Sequence, residues 1–254
     1  MKVNTVKQAL KEGRVQLGTG FQQLRSQDVV RILAAAGFDW AFLDGEHGGF
    51  GQGELQDLCR MALKVGLSPI VRVADLQYAL VARALDCGAE GVIFPRVESP
   101  ELLEKAVSWT KFPPAGIRGC GITPLHVDFE PVTIRQITEH FNEHTLVVLQ
   151  IETLRAVEAR DELLSVPHID AVMVGPVDLS ISLGVPGEFE HPRMVDAMEK
   201  IVASCRAHGV APGTQTRNLP LAKFWRERGM LFLGCSSETA MLYERARDIT
   251  SQLR

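Results

Sequence analysis

The chain predicts an α/β fold, a single (β/α)8 TIM barrel spanning residues 1–254, on three observations. Short runs rich in Val, Ile, Leu and Phe alternate with longer segments of helical period. Eight such pairs follow one another with no linker-like stretch between them, which fits a closed barrel better than an open doubly wound sheet. With 254 residues, 46% of them hydrophobic and 23% charged, the chain can bury a full-sized core.

The strands are expected at Gln16–Thr19, Trp40–Asp44, Pro69–Val73, Gly91–Pro95, Leu146–Ile151, Ala171–Val174, Val210–Gly213 and Leu231–Gly234. They are short apolar runs, as strands buried on both faces of a parallel sheet require. Helical spacing predicts helices over Asp28–Ala36, Glu54–Lys64, Leu76–Asp86, Pro100–Trp109, Thr153–Leu164, Pro192–His208 and Leu219–Arg228. Gly37, Gly66, Gly88, Gly209 and Gly229 stand where helices should stop, because glycine enters the left-handed conformation that ends a helix without a steric penalty. Ser236 and Ser237 open a last helix. The segment Lys111–Thr145 is the one irregular stretch: Pro113-Pro114-Ala115-Gly116, a polar loop and an extra helix. Connections that long usually act as a lid or a subunit contact.

The net charge of −4 leaves no basic footprint, so nucleic acid is not an expected partner. No apolar stretch approaches the roughly 18 residues that cross a bilayer, and the first ten residues lack the apolar core of a signal peptide. The five cysteines are scattered and include no C-x-x-C pair, which points to a reduced, cytoplasmic enzyme.

Barrel enzymes carry their chemistry at the C-terminal ends of the strands, where the βα loops converge. Those ends supply Asp44-Gly45-Glu46-His47, Arg72, Arg96, Gln150 with Glu152, Asp178, Gln215 and Ser236-Ser237. Two of the apolar runs stop on an acid, Glu152 and Asp178, the oxygen ligands that a hard divalent cation takes alongside substrate and water. Each acid taken alone also reads as a helix N-terminal cap. His47, in a glycine-rich turn, is a candidate base or merely a solvated loop histidine, and Asp86 joins it only if the fold brings the two together. Arg72 reads as an anion clamp or as a rim salt bridge. Gly18-Thr19-Gly20 lacks the third glycine of a dinucleotide fingerprint. None of the eight lysines falls at an expected strand end, so a Schiff-base aldolase has no candidate and a metal remains as the electron sink for carbanion chemistry.

The motifs Ala36-Gly37-Phe38-Asp39-Trp40, Asp44-Gly45-Glu46-His47, Phe112-Pro113-Pro114-Ala115-Gly116-Ile117-Arg118-Gly119, Gln150-Ile151-Glu152-Thr153 and Gly175-Pro176-Val177-Asp178-Leu179-Ser180 occur in this order. Together they resemble the metal-dependent (class II) pyruvate aldolases, the 4-hydroxy-2-oxoheptanedioate and 2-dehydro-3-deoxyglucarate aldolase family, which includes citrate-lyase-like enzymes. The resemblance runs from about Leu10 to the C-terminus. It implies a barrel of the phosphoenolpyruvate/pyruvate type whose last helix is exchanged between subunits of a homohexamer, a trimer of dimers. It implies Glu152 and Asp178 as ligands of Mg²⁺, Mn²⁺ or Co²⁺, His47 as acid/base paired with Asp86, Arg72 as the enolate-stabilising cation, and Gln150, Gly175 and Pro176 at the substrate. The implied reaction is reversible cleavage of a 4-hydroxy-2-oxo acid, through a metal-bound enolate, to an aldehyde and pyruvate or a related 2-oxo acid such as hydroxypyruvate. The alternatives are a lyase or decarboxylase of the same superfamily acting on oxaloacetate, and a non-catalytic, metal-stabilised binding protein. The chain departs from the family pattern near Gly20, where a tryptophan is usual, over Thr123–Phe129, and at Ser236, where relatives often carry Asp. Those positions bear on substrate and subunit contacts, not on the metal ligands.

Overall fold

The computed structural model describes residues 1–254. Its strands are β1 (Gln16–Phe21), β2 (Trp40–Asp44), β3 (Ser68–Arg72), β4 (Gly91–Phe94), β5 (Leu146–Ile151), β6 (Ala171–Val174), β7 (Gly213–Thr216) and β8 (Phe232–Ser237). They pair in parallel in chain order, and β8 returns to β1 to close the barrel. The helices are α1 (Thr5–Lys11), α2 (Gln27–Ala35), α3 (Gln52–Val65), α4 (Tyr78–Asp86), α5 (Pro100–Ser108), α6 (Ile134–His144), α7 (Leu154–Glu158), α8 (Arg160–Leu164), α9 (Pro176–Ser182), α10 (Pro192–His208), α11 (Leu219–Glu227) and α12 (Glu238–Leu253).

Two apolar layers hold this arrangement. Outward-facing residues such as Leu43, Val71, Val92, Val147 and Val172 pack under the helices, in one cluster with Leu58, Leu103 and Ile201. Inward-facing residues fill the barrel: Trp40, Phe42, Ile70, Ile93, Leu146, Val148, Met173 and Phe232, with the Trp40 and Phe232 rings stacked 3.9 Å apart. Gly18 makes room for that stack, since a Cβ there would lie 2.1 Å from the Trp40 ring. Helix α1 closes the foot, inserting Val6 and Leu10 into the inner cluster.

Three expectations need correction. The seventh strand is Gly213–Thr216 rather than Val210–Gly213. Its residues are small and polar, so the apolar pattern drew the expected strand toward Val210 and Ala211, of which Ala211 makes only an isolated bridge to Ala171. The helix over Thr153–Leu164 is two short helices that break at Ala159. The segment Lys111–Thr145 joins α5 to β5, so it lies at the foot of the barrel and cannot be a lid over this chain's own mouth.

Candidate active site

The mouth follows from strand periodicity. Side chains alternate between the two faces of a strand, so each inward series, continued upward, reaches the rim. Phe42 leads to Asp44, Ile70 to Arg72, Val148 to Gln150 and Glu152, Met173 to Gly175, and Gly213 to Gln215. These residues surround a cavity of about 710 Å³ lined by His47, Arg72, Gln150, Gly175, Pro176 and Asp178 and, on the opposite wall, by Gly20, Gln215, Arg217 and Ser236.

Arg72 is buried and grips Asp44 through two parallel hydrogen bonds, Nε to Oδ1 at 2.9 Å and Nη2 to Oδ2 at 2.7 Å. Its Nη1 lies 3.1 Å from Glu46 Oε2. Asp44 also accepts the backbone N–H groups of Glu46 and His47, which fixes the turn that carries the histidine. Burial pushes the Asp44 carboxyl up, but the hydrogen bonds and charge of Arg72 outweigh it and hold the group below its ordinary value.

Glu152 is 4% exposed. One oxygen accepts the Arg96 backbone N–H at 2.8 Å, and the other accepts the Gln150 side-chain amide. Burial, with a contribution from the nearby Asp178 charge, raises its pKa above the usual carboxylate value. Glu152 is no helix cap, because Thr153 caps α7 through its own side chain. Asp178 sits in the first turn of α9, whose N-cap is Gly175. It is exposed to the cavity and forms no ion pair, so it both complements the helix dipole and remains free as a ligand. Gly175 is required by close approach: a Cβ would lie 2.8 Å from Glu152 Oε2 and 3.1 Å from Gln150 Nε2.

Seven of the eight expected site residues therefore converge on the mouth: His47, Arg72, Gln150, Glu152, Gly175, Pro176 and Asp178. Asp86 does not. Helix α4 runs from mouth to foot, and Asp86 ends it there, paired with Arg118 at 3.0 Å and accepting His126 Nε2 at its backbone oxygen. Its pairing with His47 is not made within one chain. The acid that stands near His47 is Glu46, whose Oε1 lies 3.7 Å from His47 Nε2. Arg118, from the motif Phe112–Gly119, is likewise buried at the foot against Phe112 and Phe141.

Sequence reasoning gave no role to Asp44, Glu46 or Glu238. Inward parity on β2 was the signal for Asp44. Glu238 had none: its Oε1 gathers the backbone N–H groups of Gln22, Gln23 and Leu24 at 2.7–3.1 Å and fixes the loop after β1. Ser237, the last residue of β8, is the N-cap of α12, as its position before the last helix indicates, whereas Ser236 lies within β8 and caps nothing. No three or more His, Cys, Asp and Glu side chains are grouped so as to hold a metal ion by themselves. The residues available to a cation are the two acids Glu152 and Asp178, and they fit one. Asp44, Glu46, Glu152 and Asp178 are four carboxylates against the two guanidinium groups of Arg72 and Arg217, and the buried Gln150 Oε1 has no partner in the chain.

A parallel barrel whose strand ends gather carboxylates and an arginine around one mouth is built as barrel enzymes are, and comparison with known proteins gives the reaction class. The family model described as HpcH/HpaI aldolase/citrate lyase matches residues 19–243. The 4-hydroxy-2-oxo-heptane-1,7-dioate aldolase of Salmonella paratyphi C (strain RKS4594) is 33% identical over 249 residues, covering 98% of this chain and 94% of the relative. The crystal structure of an HpcH/HpaI aldolase from Desulfitobacterium hafniense DCB-2 superposes with a TM-score of 0.93 at 34% identity, covering 97% of this chain and 95% of that one. A family protein from Burkholderia cenocepacia J2315 superposes with a TM-score of 0.91 at 30% identity, covering 99% of both chains. The chain belongs to the HpcH/HpaI aldolase/citrate lyase family. It is an aldolase, a carbon–carbon lyase.

Proposed function

We propose that this aldolase is divalent-metal-dependent and reversibly cleaves a 4-hydroxy-2-oxo acid to pyruvate, or a related 2-oxo acid, and an aldehyde. The observation that carries the reading is the convergence of Glu152 and Asp178 with Arg72 and Gln150 in a mouth whose carboxylates outnumber its cations. A 2-oxo acid is an anion, and such a mouth repels it unless a further positive charge is present. Glu152 and Asp178 would hold that cation. Bound there, Mg²⁺, Mn²⁺ or Co²⁺ supplies Lewis-acid polarisation of the oxo acid.

The protein's own groups divide the remaining work. Two of the five N–H donors of Arg72 are engaged by Asp44 and its Nη1 is ion-paired with Glu46, which leaves donors for the oxygen on which negative charge develops as the C3–C4 bond breaks. Gln150 is held by its hydrogen bond to Glu152 and presents an amide edge to the oxo acid. Gly175 and Pro176 form the wall beside it, where the missing Cβ leaves room for the ligand. His47, exposed in the mouth, takes the proton of the 4-hydroxyl at a ring nitrogen in cleavage and returns it in synthesis. Asp86 takes part only if a second chain brings its foot to this mouth. Helix α12 favours such an assembly: it leaves Leu242, Tyr243 and Leu253 exposed, an apolar edge suited to a helix exchanged between subunits of a hexamer.

A screen of pyruvate with aldehydes in the presence of Mg²⁺, Mn²⁺ and Co²⁺ tests the reading. Metal-dependent aldol turnover is expected. Oxaloacetate decarboxylation without any aldehyde-dependent turnover would replace this reading with a decarboxylase.

A further inference from the structure

His47 is not held in place by its own side chain. The ring is 64% exposed and its nearest charged neighbour is Glu46, so its position over the mouth is set by the backbone of the turn Asp44–Gly49. That turn is braced by the residues that follow β1. Gln22 touches both of its ends: Nε2 donates to Asp44 Oδ2 at 3.0 Å, and the Gln22 carbonyl accepts the Gly49 N–H at 3.0 Å. Arg25 takes the other side of Gly49, donating from Nη2 to its carbonyl at 2.7 Å, and anchors itself through Nη1 to Glu54 at 2.9 Å. Gly48 is pressed between turn and brace, since a Cβ there would come 2.0 Å from the Asp44 carbonyl oxygen and 3.1 Å from that of Gln22.

The brace itself hangs on one side chain. Residues 22–25 lie between β1 and α2, outside any strand or helix, so their backbone donors need partners from elsewhere. Glu238, the first residue of α12, is 4% exposed, and its Oε1 accepts the N–H groups of Gln22, Gln23 and Leu24. Every hydrogen bond that its carboxylate makes goes to this one segment, and Oε2 has no partner in the chain. A buried carboxylate is costly unless it is hydrogen-bonded, so carboxylate and segment hold each other in place.

We propose that Glu238 is the positioning residue for His47: its carboxylate orders residues 22–25, and these hold the His47 turn at Asp44 and at Gly49. The part that His47 plays in turnover rests on the aldolase reading, but the brace is a property of the fold and is read without turnover. The path runs through Gln22 and Arg25 and includes neither Glu152 nor Asp178, and Arg72 keeps its own two bonds to Asp44. The brace therefore sets the rate of proton transfer rather than the binding of the oxo acid.

The experiment combines hydrogen–deuterium exchange, read by mass spectrometry, with steady-state aldol kinetics on the whole protein. Glu238→Asp keeps the charge at the start of the helix but withdraws the carboxylate by one methylene, whereas Glu238→Gln keeps the reach with a neutral acceptor. In Glu238→Asp, exchange over residues 45–50 should quicken at least about tenfold while exchange over β5 stays as in the unmodified protein. Its kcat should fall about tenfold at unchanged KM, because a slightly misplaced base costs rate and not affinity. Glu238→Gln should fall between the two, since a neutral acceptor makes the weaker hydrogen bonds. Arg25→Met, which cuts the brace from its exposed side, should also quicken exchange over residues 45–50. Unchanged exchange in Glu238→Asp, an unchanged kcat despite quickened exchange, or a KM that rises by the factor by which kcat falls would each overturn the positioning role. Absence of aldol turnover in the unmodified protein would overturn the aldolase reading alone, and exchange would still decide whether Glu238 holds the turn.

Discussion

Arg72 and Asp44 form a bidentate ion pair between neighbouring strands, with the Asp44 carboxylate wholly buried. The pair orients the guanidinium that faces the mouth, and Asp44 also holds the His47 turn. Removing one partner of a buried pair leaves an uncompensated charge. Asp44→Ala should cost about 3–5 kcal/mol of stability, read by urea unfolding. Arg72→Lys, which keeps the charge but loses the fork, should keep most of that stability while lowering kcat by about 10²–10³-fold. Equal losses in both variants would make the pair structural only.

Gly175→Ala tests the floor of the site. A methyl group 2.8 Å from Glu152 Oε2 must displace that carboxylate or the α9 turn. The variant should stay folded by circular dichroism yet bind Mn²⁺ at least about tenfold more weakly, in the range that follows loss of a metal site's supporting contacts. Unchanged affinity would mean that Glu152 does not hold the cation.

The strand ends were legible in the sequence because a parallel barrel buries both faces of its strands. Leu146–Ile151 and Trp40–Asp44 are unbroken buried runs, and the polar residues that end them stand out. Legibility failed where that contrast vanishes. Strand β7 reads Gly-Thr-Gln-Thr, and α9 is seven residues long, too short to show a period. Long-range placement was not legible either. Nothing in Ala84-Leu85-Asp86 says which end of the barrel it occupies, and the charge carried by Glu238 gives no sign of the three backbone N–H groups it binds.

The separation of His47 and Asp86 within one chain yields a mixing prediction. If Asp86 acts at all, it acts on the His47 of another subunit. His47→Ala and Asp86→Asn should each be weakly active alone, and after co-refolding about one site in four should have both residues intact. Recovered activity in the mixture confirms a shared site. Full activity of Asp86→Asn alone would confine Asp86 to its pairing with Arg118 at the foot.

The foot also carries a pH dependence. Lys111 is 2% exposed and donates to the carbonyl oxygens of Asn142 and Thr145. Burial, then the charge of Lys7, lowers its pKa to about 7 from 10.5. Between those values the unfolded chain binds more protons than the folded one, so this group's contribution to stability rises as pH increases from about 7 and is absent below it. Lys111→Met should flatten the rise in urea midpoint between about pH 7 and pH 9. An identical slope in the variant would assign the dependence to other groups.

The central claim is that Glu152 and Asp178 hold a divalent cation on which aldol chemistry depends. Its most direct measurement is Mn²⁺ binding by electron paramagnetic resonance, run beside aldol turnover on the same samples of unmodified protein, Glu152→Gln and Asp178→Asn. We expect one Mn²⁺ per chain in the unmodified protein, affinity reduced at least about tenfold in each variant, and turnover abolished by chelation and restored by metal. Turnover that survives exhaustive chelation, or Mn²⁺ binding that is unchanged in both variants, would contradict it.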